Sequence, residues 1–300
     1  MRFPSSFQFA LPSISQSPGS RKGTRLASKR YPIFYGNEGK KLLLWISWIL
    51  IFIAKKRIFL GSLYGRSIID TSEIIAELQA LGTQAHREGM EHFGIKTERA
   101  PGVSMNTLRR LARRIGKKDH ALAQALWNTG LHEARLLATI VDDPSMITEE
   151  QMERWVAEFD SWDVCDQCCG NLFDKTTRAW EKAVEWSARE PEYEKRAGFV
   201  LMASLAIHEK NAPDENYLPF FEMIKREAGD RRNFVKKAVN WALREIGKRN
   251  RALNQAAIAT AQEILAQNSK GKRVASDALR ELTSEKVQAR LRNVGQSATG

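Results

Sequence analysis

Tyr193-Glu194-Lys195-Arg196-Ala197-Gly198-Phe199-Val200-Leu201-Met202 can be laid over Phe234-Val235-Lys236-Lys237-Ala238-Val239-Asn240-Trp241-Ala242-Leu243 at an offset of 41 residues. That spacing falls within the range of HEAT and armadillo repeats, where each unit is a pair of helices too small to bury its own apolar face. Stacking neighbours buries it, and the stack presents similar side chains at regular intervals. The repeat predicts an all-α fold, a HEAT-like helical solenoid. Its basic positions are spaced so that they can follow a nucleic-acid backbone.

Outward from this pair, the periodicity stays helical. Ile74, Leu78 and Leu81 form one stripe. Leu108, Leu111, Ala112 and Ile115 form another, with Ser104 as its cap and Gly116 as its stop. Leu122, Leu126, Leu136, Leu137, Ile140 and Val141 continue the pattern, with breaks at Gly130 and at Asp142-Asp143-Pro144. Thr148-Glu149-Glu150-Gln151 has the spacing of a capping box, in which Thr caps and Gln reaches back. Met152, Trp155, Val156 and Phe159 make the buried stripe that follows. Further helices are predicted over Thr176–Ala188, Glu192–His208, Asp214–Ala228, Asn233–Ile246, Ala252–Ala266 and Ser276–Arg290. No run of alternating residues calls for a sheet.

The chain divides by composition into a basic extension (1–70), the helical domain (71–268) and a basic, partly helical C-terminal tail (269–300). Its formal charge of +12 is uneven. Residues 1–70 hold twelve Lys and Arg against two acids, while residues 71–300 hold 35 bases and 33 acids. Overall pI therefore says nothing about nucleic-acid binding by the helical domain, and any such case rests on local patches. The first forty residues, rich in Ser, Pro, Gly and basic side chains, read as disordered. The apolar run 42–54 is shorter than the roughly twenty residues of a spanning helix. With basic flanks and tryptophans, membrane-surface contact is its lesser reading. Three clustered cysteines suit a reducing compartment, and a cytoplasmic location is expected.

The segment Asp160-Ser161-Trp162-Asp163-Val164-Cys165-Asp166-Gln167-Cys168-Cys169-Gly170-Asn171-Leu172-Phe173 carries the most unusual chemistry. As a helix capped by Asp160 or Ser161, it places Trp162 and Asp166 on one face and Val164, Cys168 and Leu172 on another. A metal or redox role for Cys165, Cys168 and Cys169 competes with simple burial as small hydrophobes. The rest of the chain offers no second Cys pair and no His-x3-His run, which favours burial. On composition alone, Trp162 is a core residue and Asp166 a solvated or capping acid.

Sequence similarity changes that balance. Trp162-Asp163-Val164-Cys165-Asp166 resembles the Trp-Asp-x-x-Asp signature of the DNA alkylation repair family of HEAT-repeat glycosylases, the AlkD-like proteins. Lys195-Arg196-Ala197 resembles the family's Arg-Ala segment, and Ala238 to Glu245 its Trp-x-Leu-Arg-Glu helix. Phe93-Gly94-Ile95, Leu108 to Ala112, and Leu126-Trp127 through Arg135 also resemble it, so the similarity runs from about Thr71 to Leu265. The resemblance implies hydrolysis of the N-glycosidic bond of alkylated, cationic purines in duplex DNA, with the lesion recognised largely stacked rather than flipped.

That reaction leaves positive charge on the sugar, which a fixed carboxylate stabilises. Asp166 is the candidate for it. Trp162 and Trp241 offer indole faces to the cationic nucleotide. Arg196 is placed on a nearby phosphate, with an ordinary surface salt bridge to Glu192 or Glu194 as its alternative. Lys236, Lys237 and Arg244 belong to the densest basic region, which extends over Arg231, Arg232, Lys248, Arg249 and Arg251 and has Glu227, Asp230 and Glu245 as potential partners. Arg109, Arg110, Arg113, Arg114, Lys117 and Lys118 form a second patch, favoured for phosphate contact because few acids are near in sequence. No nucleotide-binding Gly-rich loop or metal-ligand set appears, so no cofactor and no metal are expected, and the protein is expected to be a monomer. Two other functions fit a helical solenoid: non-catalytic binding of branched or damaged DNA, and a protein-interaction scaffold.

Overall fold

The computed structural model describes residues 70–116, 118–267 and 269–297. The extension with its apolar run 42–54, as well as Lys117, lies outside them. Among the described residues there are fourteen α-helices and no strand: α1 (Thr71–Leu81), α2 (Gln84–His92), α3 (Met105–Ile115), α4 (His120–Asn128), α5 (His132–Val141), α6 (Glu149–Ala157), α7 (Trp162–Asn171), α8 (Ala179–Ser187), α9 (Glu192–His208), α10 (Leu218–Glu227), α11 (Asn233–Gly247), α12 (Arg251–Gln267), α13 (Lys272–Leu282) and α14 (Glu285–Ser297). None is long and apolar enough to cross a membrane.

From α3 onward the helices form two rows. In the first, α3, α5, α7, α9, α11 and α13 each pack on the next. The second contributes α4, α8, α10 and α12, each packed on its sequence neighbour in the first row. The 41-residue repeat is visible in this packing, since Tyr193 of α9 and Phe234 of α11 hold equivalent places and their rings lie 5.8 Å apart. Helix α9 is the centre of the stack. Every residue from Lys195 to Ala206 is buried, as expected of a helix surrounded on all sides. Gly198 makes this possible, because a Cβ there would come within 2.3 Å of the Ser187 backbone nitrogen. A run of buried rings, Trp127, Trp155, Phe173 and Trp186, ties α4, α6 and α8 together. Trp127 and Trp155 stack at 3.9 Å, and Phe173 bridges from Trp155 to Trp186.

Several predicted details differ in the structure. Ile74 and Leu78 are buried, but Leu81, at the last turn of α1, is 43% exposed. Ser104 caps α3 through the Thr107 N–H as expected. The capping box at Thr148 is only half formed: its hydroxyl accepts from Gln151 N, while the Gln151 side chain donates to the buried Asp142 carboxylate at 3.0 Å. A bonded acid in the core outcompetes an exposed backbone N–H. The helix predicted over Asp214–Ala228 begins at Leu218, after a short 3-10 turn, because Pro219 is tolerated only in a first helical turn. The single helix predicted over Ser276–Arg290 is two, broken at Thr283 and Ser284. The first of them, α13, buries Val274, Ala275, Ala278 and Leu282 against the main core.

Candidate nucleic-acid interface and active site

The N-terminal end of α7 gathers the candidate chemistry. Ser161 is the N-cap by backbone geometry but makes no side-chain cap bond. Its hydroxyl instead donates to Asp163 Oδ1, which also accepts the Val164 N–H. Asp163 Oδ2 lies 2.8 Å from Nε2 of the buried His132. Burial pulls the His132 imidazole pKa down, but Asp163, with Glu133 and Asp160, outweighs it and leaves the pKa raised. Asp163 is itself driven up by burial and, more strongly, down by His132 and its other hydrogen bonds. This cluster locks the first turn of α7 in place.

One turn on, Asp166 meets Arg196 from α9. Arg196 Nε donates to Oδ1 at 2.9 Å and Nη2 to Oδ2 at 2.8 Å. Nη1 donates to the Phe234 carbonyl at the start of α11. The guanidinium thus joins three successive helices of the first row. Burial raises the Asp166 pKa, with Arg196 opposing it; on Arg196, burial lowers the pKa but Asp166 prevails. Two parallel N–H donors on two carboxylate oxygens is the geometry of an ionised pair, and that is the state of this one. Asp166 keeps 15% of its side chain exposed, Arg196 only 6%. Neither Glu192 nor Glu194 pairs with Arg196. Three of its five N–H donors are taken by protein acceptors, which leaves two for any other acceptor.

The cysteines are packing residues. Cys165, Cys168 and Cys169 are fully buried, and the Cys165 and Cys169 thiols face the Tyr193 and Ala197 carbonyls of α9. Burial pushes the Cys168 and Cys169 thiols well above the ordinary range, which makes them poor nucleophiles and metal ligands. Val164, Cys168 and Leu172 share the buried side as predicted. Trp162 is half-buried on the other side. Its indole N–H donates to the Phe93 carbonyl at 3.0 Å, and its ring packs on a small core of Met90, Ile95 and Ala100.

Beside this pair lies a cleft of about 620 Å³ lined by Arg196, residues of α11 and residues of α13. It includes Lys236, Lys237, Trp241 and Arg244, and six cationic side chains face one carboxylate, Asp277. Such a balance suits a polyanion. Arg244 pairs with Glu281 and Arg280 with Asp277, while Lys237 sits over the Phe234 ring. Among the described residues, Lys236 and Arg273 have no carboxylate within ion-pair distance. The Trp241 indole N–H is held by Glu245 at 3.2 Å. Asp166 reaches this cleft through Arg196 and does not itself line it.

Three other members of the basic region are structural. Arg232 pairs with Asp230, Lys248 bridges Glu245 and Glu281, and Arg249 donates to the Ala206 carbonyl in the last turn of α9 and to the Lys210 and Ala212 carbonyls just past its end. Arg109, Arg110 and Arg113 project from α3 and are exposed, away from the cleft lining. Arg114 is paired with Glu77 of α1, an acid remote in sequence. Arg273, Ser276, Asp277 and Arg280 of α13 escape a sequence analysis that treats residues past 268 as a basic tail. The spacing Val274, Ala278, Leu282 was the available signal.

The comparisons with known proteins agree with this architecture. A solved structure described as belonging to a new family of proteins related to the HEAT-like repeat DNA glycosylases with affinity for branched DNA structures superimposes with a TM-score of 0.61 at 22% identity, covering 74% of this chain and 96% of its own. That likeness shows the fold, a HEAT-like helical repeat. No curated protein matches the sequence. Residues 74–282, well over half of the chain, match the family described as DNA alkylation repair enzyme, and this helical-repeat chain with its Asp166–Arg196 pair therefore belongs to the DNA alkylation repair enzyme family.

Proposed function

We propose that the protein is a DNA glycosylase that hydrolyses the N-glycosidic bond of alkylated, cationic purines in duplex DNA. The observation that carries this reading is the Asp166 carboxylate, gripped at both oxygens by Arg196 next to a cleft with six cationic side chains and Trp241. A carboxylate has about four lone-pair directions, and Arg196 occupies two. Two are left for a water or for the sugar as it becomes oxocarbenium-like. The alkylated base leaves readily because it already bears a positive charge, so strong general-acid help is unnecessary. Trp162 and Trp241 border the nucleotide, each contributing roughly 0.5–2 kcal/mol toward a cationic base. Lys236, Lys237, Arg244 and Arg273 hold the backbone on one side, and the exposed Arg109, Arg110 and Arg113 give it a second anchorage. The protein works on DNA as a monomer in the cytoplasm.

Incubating the protein with methylated duplex and separating the released bases tests this directly: free 7-methylguanine or 3-methyladenine is expected. The family's structural neighbour motivates a second reading, in which the same cleft holds branched DNA and excises nothing. Tight binding of a four-way junction together with no release of any methylated base would decide for it.

A further inference from the structure

Six tryptophans lie among the described residues. Four of them, Trp127, Trp155, Trp180 and Trp186, have a second aromatic ring against their own. Among the described residues, Trp162 and Trp241 have no such neighbour. Trp241 is also the indole that lines the cationic cleft, half-buried with its inner side packed on the main core. A tryptophan side chain has a broad χ2 torsion and a single donor. Where no second ring stacks on it, the partner of that donor selects the plane of the ring. For Trp162 the partner is a backbone carbonyl. For Trp241 it is a charged side chain one turn further along α11, Glu245, whose Oε1 accepts the indole N–H at 3.2 Å.

The Glu245 carboxylate is itself held. Lys248 Nζ donates to the same Oε1 at 2.7 Å and to Glu281 Oε1 at 2.8 Å, and the other Glu281 oxygen accepts Arg244. Positions 241, 244, 245 and 248 are three or four apart and share one face of α11; Glu281 closes the chain of bonds from α13. Glu245 and Lys248 keep only 19% and 18% of their side chains exposed. Burial raises the Glu281 pKa, but Lys248 and Arg244 outweigh it and leave it lowered, so the far end of the chain is an ionised carboxylate. Two side chains that line the cleft, Trp241 and Arg244, therefore hang from one connected set of bonds. Glu245 is the member that touches the indole.

Resting on the glycosylase reading above, we propose that Glu245 is a positioning residue for base excision, fixing the plane of the Trp241 indole at the cleft for the cationic purine of a stacked lesion. Glu245 touches neither sugar nor base, and its effect passes through the indole N–H. The test uses the full chain and a duplex with one 7-methylguanine, reading single-turnover release from the saturated complex and, separately, duplex affinity. Each variant is assayed well below its own melting temperature. Glu245→Ala should slow release roughly tenfold and leave the affinity for unmodified duplex unchanged. Glu245→Gln, whose amide oxygen still accepts from the indole, should release base at close to the wild-type rate. The deciding measurement is a double-mutant cycle. Trp241→Phe keeps an aromatic face but has no N–H to hold, so adding Glu245→Ala to it should slow release no further. Additive losses, a Glu245→Ala rate equal to wild type, or a Glu245→Gln variant as slow as alanine would each refute the positioning role while the glycosylase reading stands. If the wild type releases no methylated base, the glycosylase reading itself falls and takes the positioning role with it.

Discussion

Arg196→Ala removes the group that links α7, α9 and α11. It deletes two hydrogen bonds to Asp166 and one to the Phe234 carbonyl, and leaves a carboxylate with 15% exposure and no counter-charge. Losing one partner of a buried pair costs about 3–5 kcal/mol, a large part of a domain's stability. The pH dependence identifies the cause. Burial already raises the Asp166 pKa against the opposition of Arg196; without the arginine that rise is unopposed. A folded-state carboxyl above its unfolded value of 3.8 penalises folding at neutral pH, and the penalty is relieved as pH falls through the raised value. Urea unfolding followed by circular dichroism should therefore show a larger deficit at pH 7 than at pH 4.5. Replacing both residues, as Asp166→Leu with Arg196→Met, should recover most of the loss, because an apolar pair needs no counter-charge. A deficit below about 1 kcal/mol that does not change with pH would place the pair among screened surface bridges and refute the reasoning.

Gly198→Ala should destabilise by roughly 3 kcal/mol, because the new methyl would meet the Ser187 backbone at 2.3 Å; an unchanged melting temperature would show that α8 and α9 can separate at no cost. Replacing Lys236 and Arg273 by Gln should reduce the salt dependence of duplex binding, the slope of log K against log salt, by roughly two, and an unaltered slope would remove both from the backbone track. His132 has a raised pKa through Asp163, so its stabilisation is complete below the ordinary histidine value of about 6.5 and is lost as pH rises through the raised one. The stability gap between wild type and His132→Gln should accordingly be widest in mild acid and narrow in alkali; a gap that widens with pH would contradict the charged pair.

Helical period and the 41-residue offset made the fold legible, because both express local geometry: residues three and four apart share a face, and repeats bury the same face. Three motifs in order single out Asp166, Trp162, Arg196 and Trp241 as candidates. Their bonding was not legible. Whether Arg196 takes Glu194 from its own helix or Asp166 from the preceding helix of its row depends on how α7 and α9 are offset, which no local pattern encodes. The same holds for Arg114, whose acid partner lies on α1, and for Arg249, which binds carbonyls in and just past the last turn of α9. The α13 arginines were hidden differently. Lys270, Lys272 and Arg273 made the stretch look like a tail, although Val274, Ala278 and Leu282 recur every four residues and bury one side of a helix.

Single-turnover excision by Asp166→Asn bears most directly on the central claim. The amide keeps the size of the carboxylate but offers Arg196 one acceptor oxygen in place of two and no counter-charge, so the variant should be less stable than wild type and is assayed well below its melting temperature. The account predicts that release of 7-methylguanine from a saturated complex slows by at least about a hundredfold. Release at the wild-type rate, with the variant folded and bound, would show that the Asp166 charge takes no part in breaking the bond.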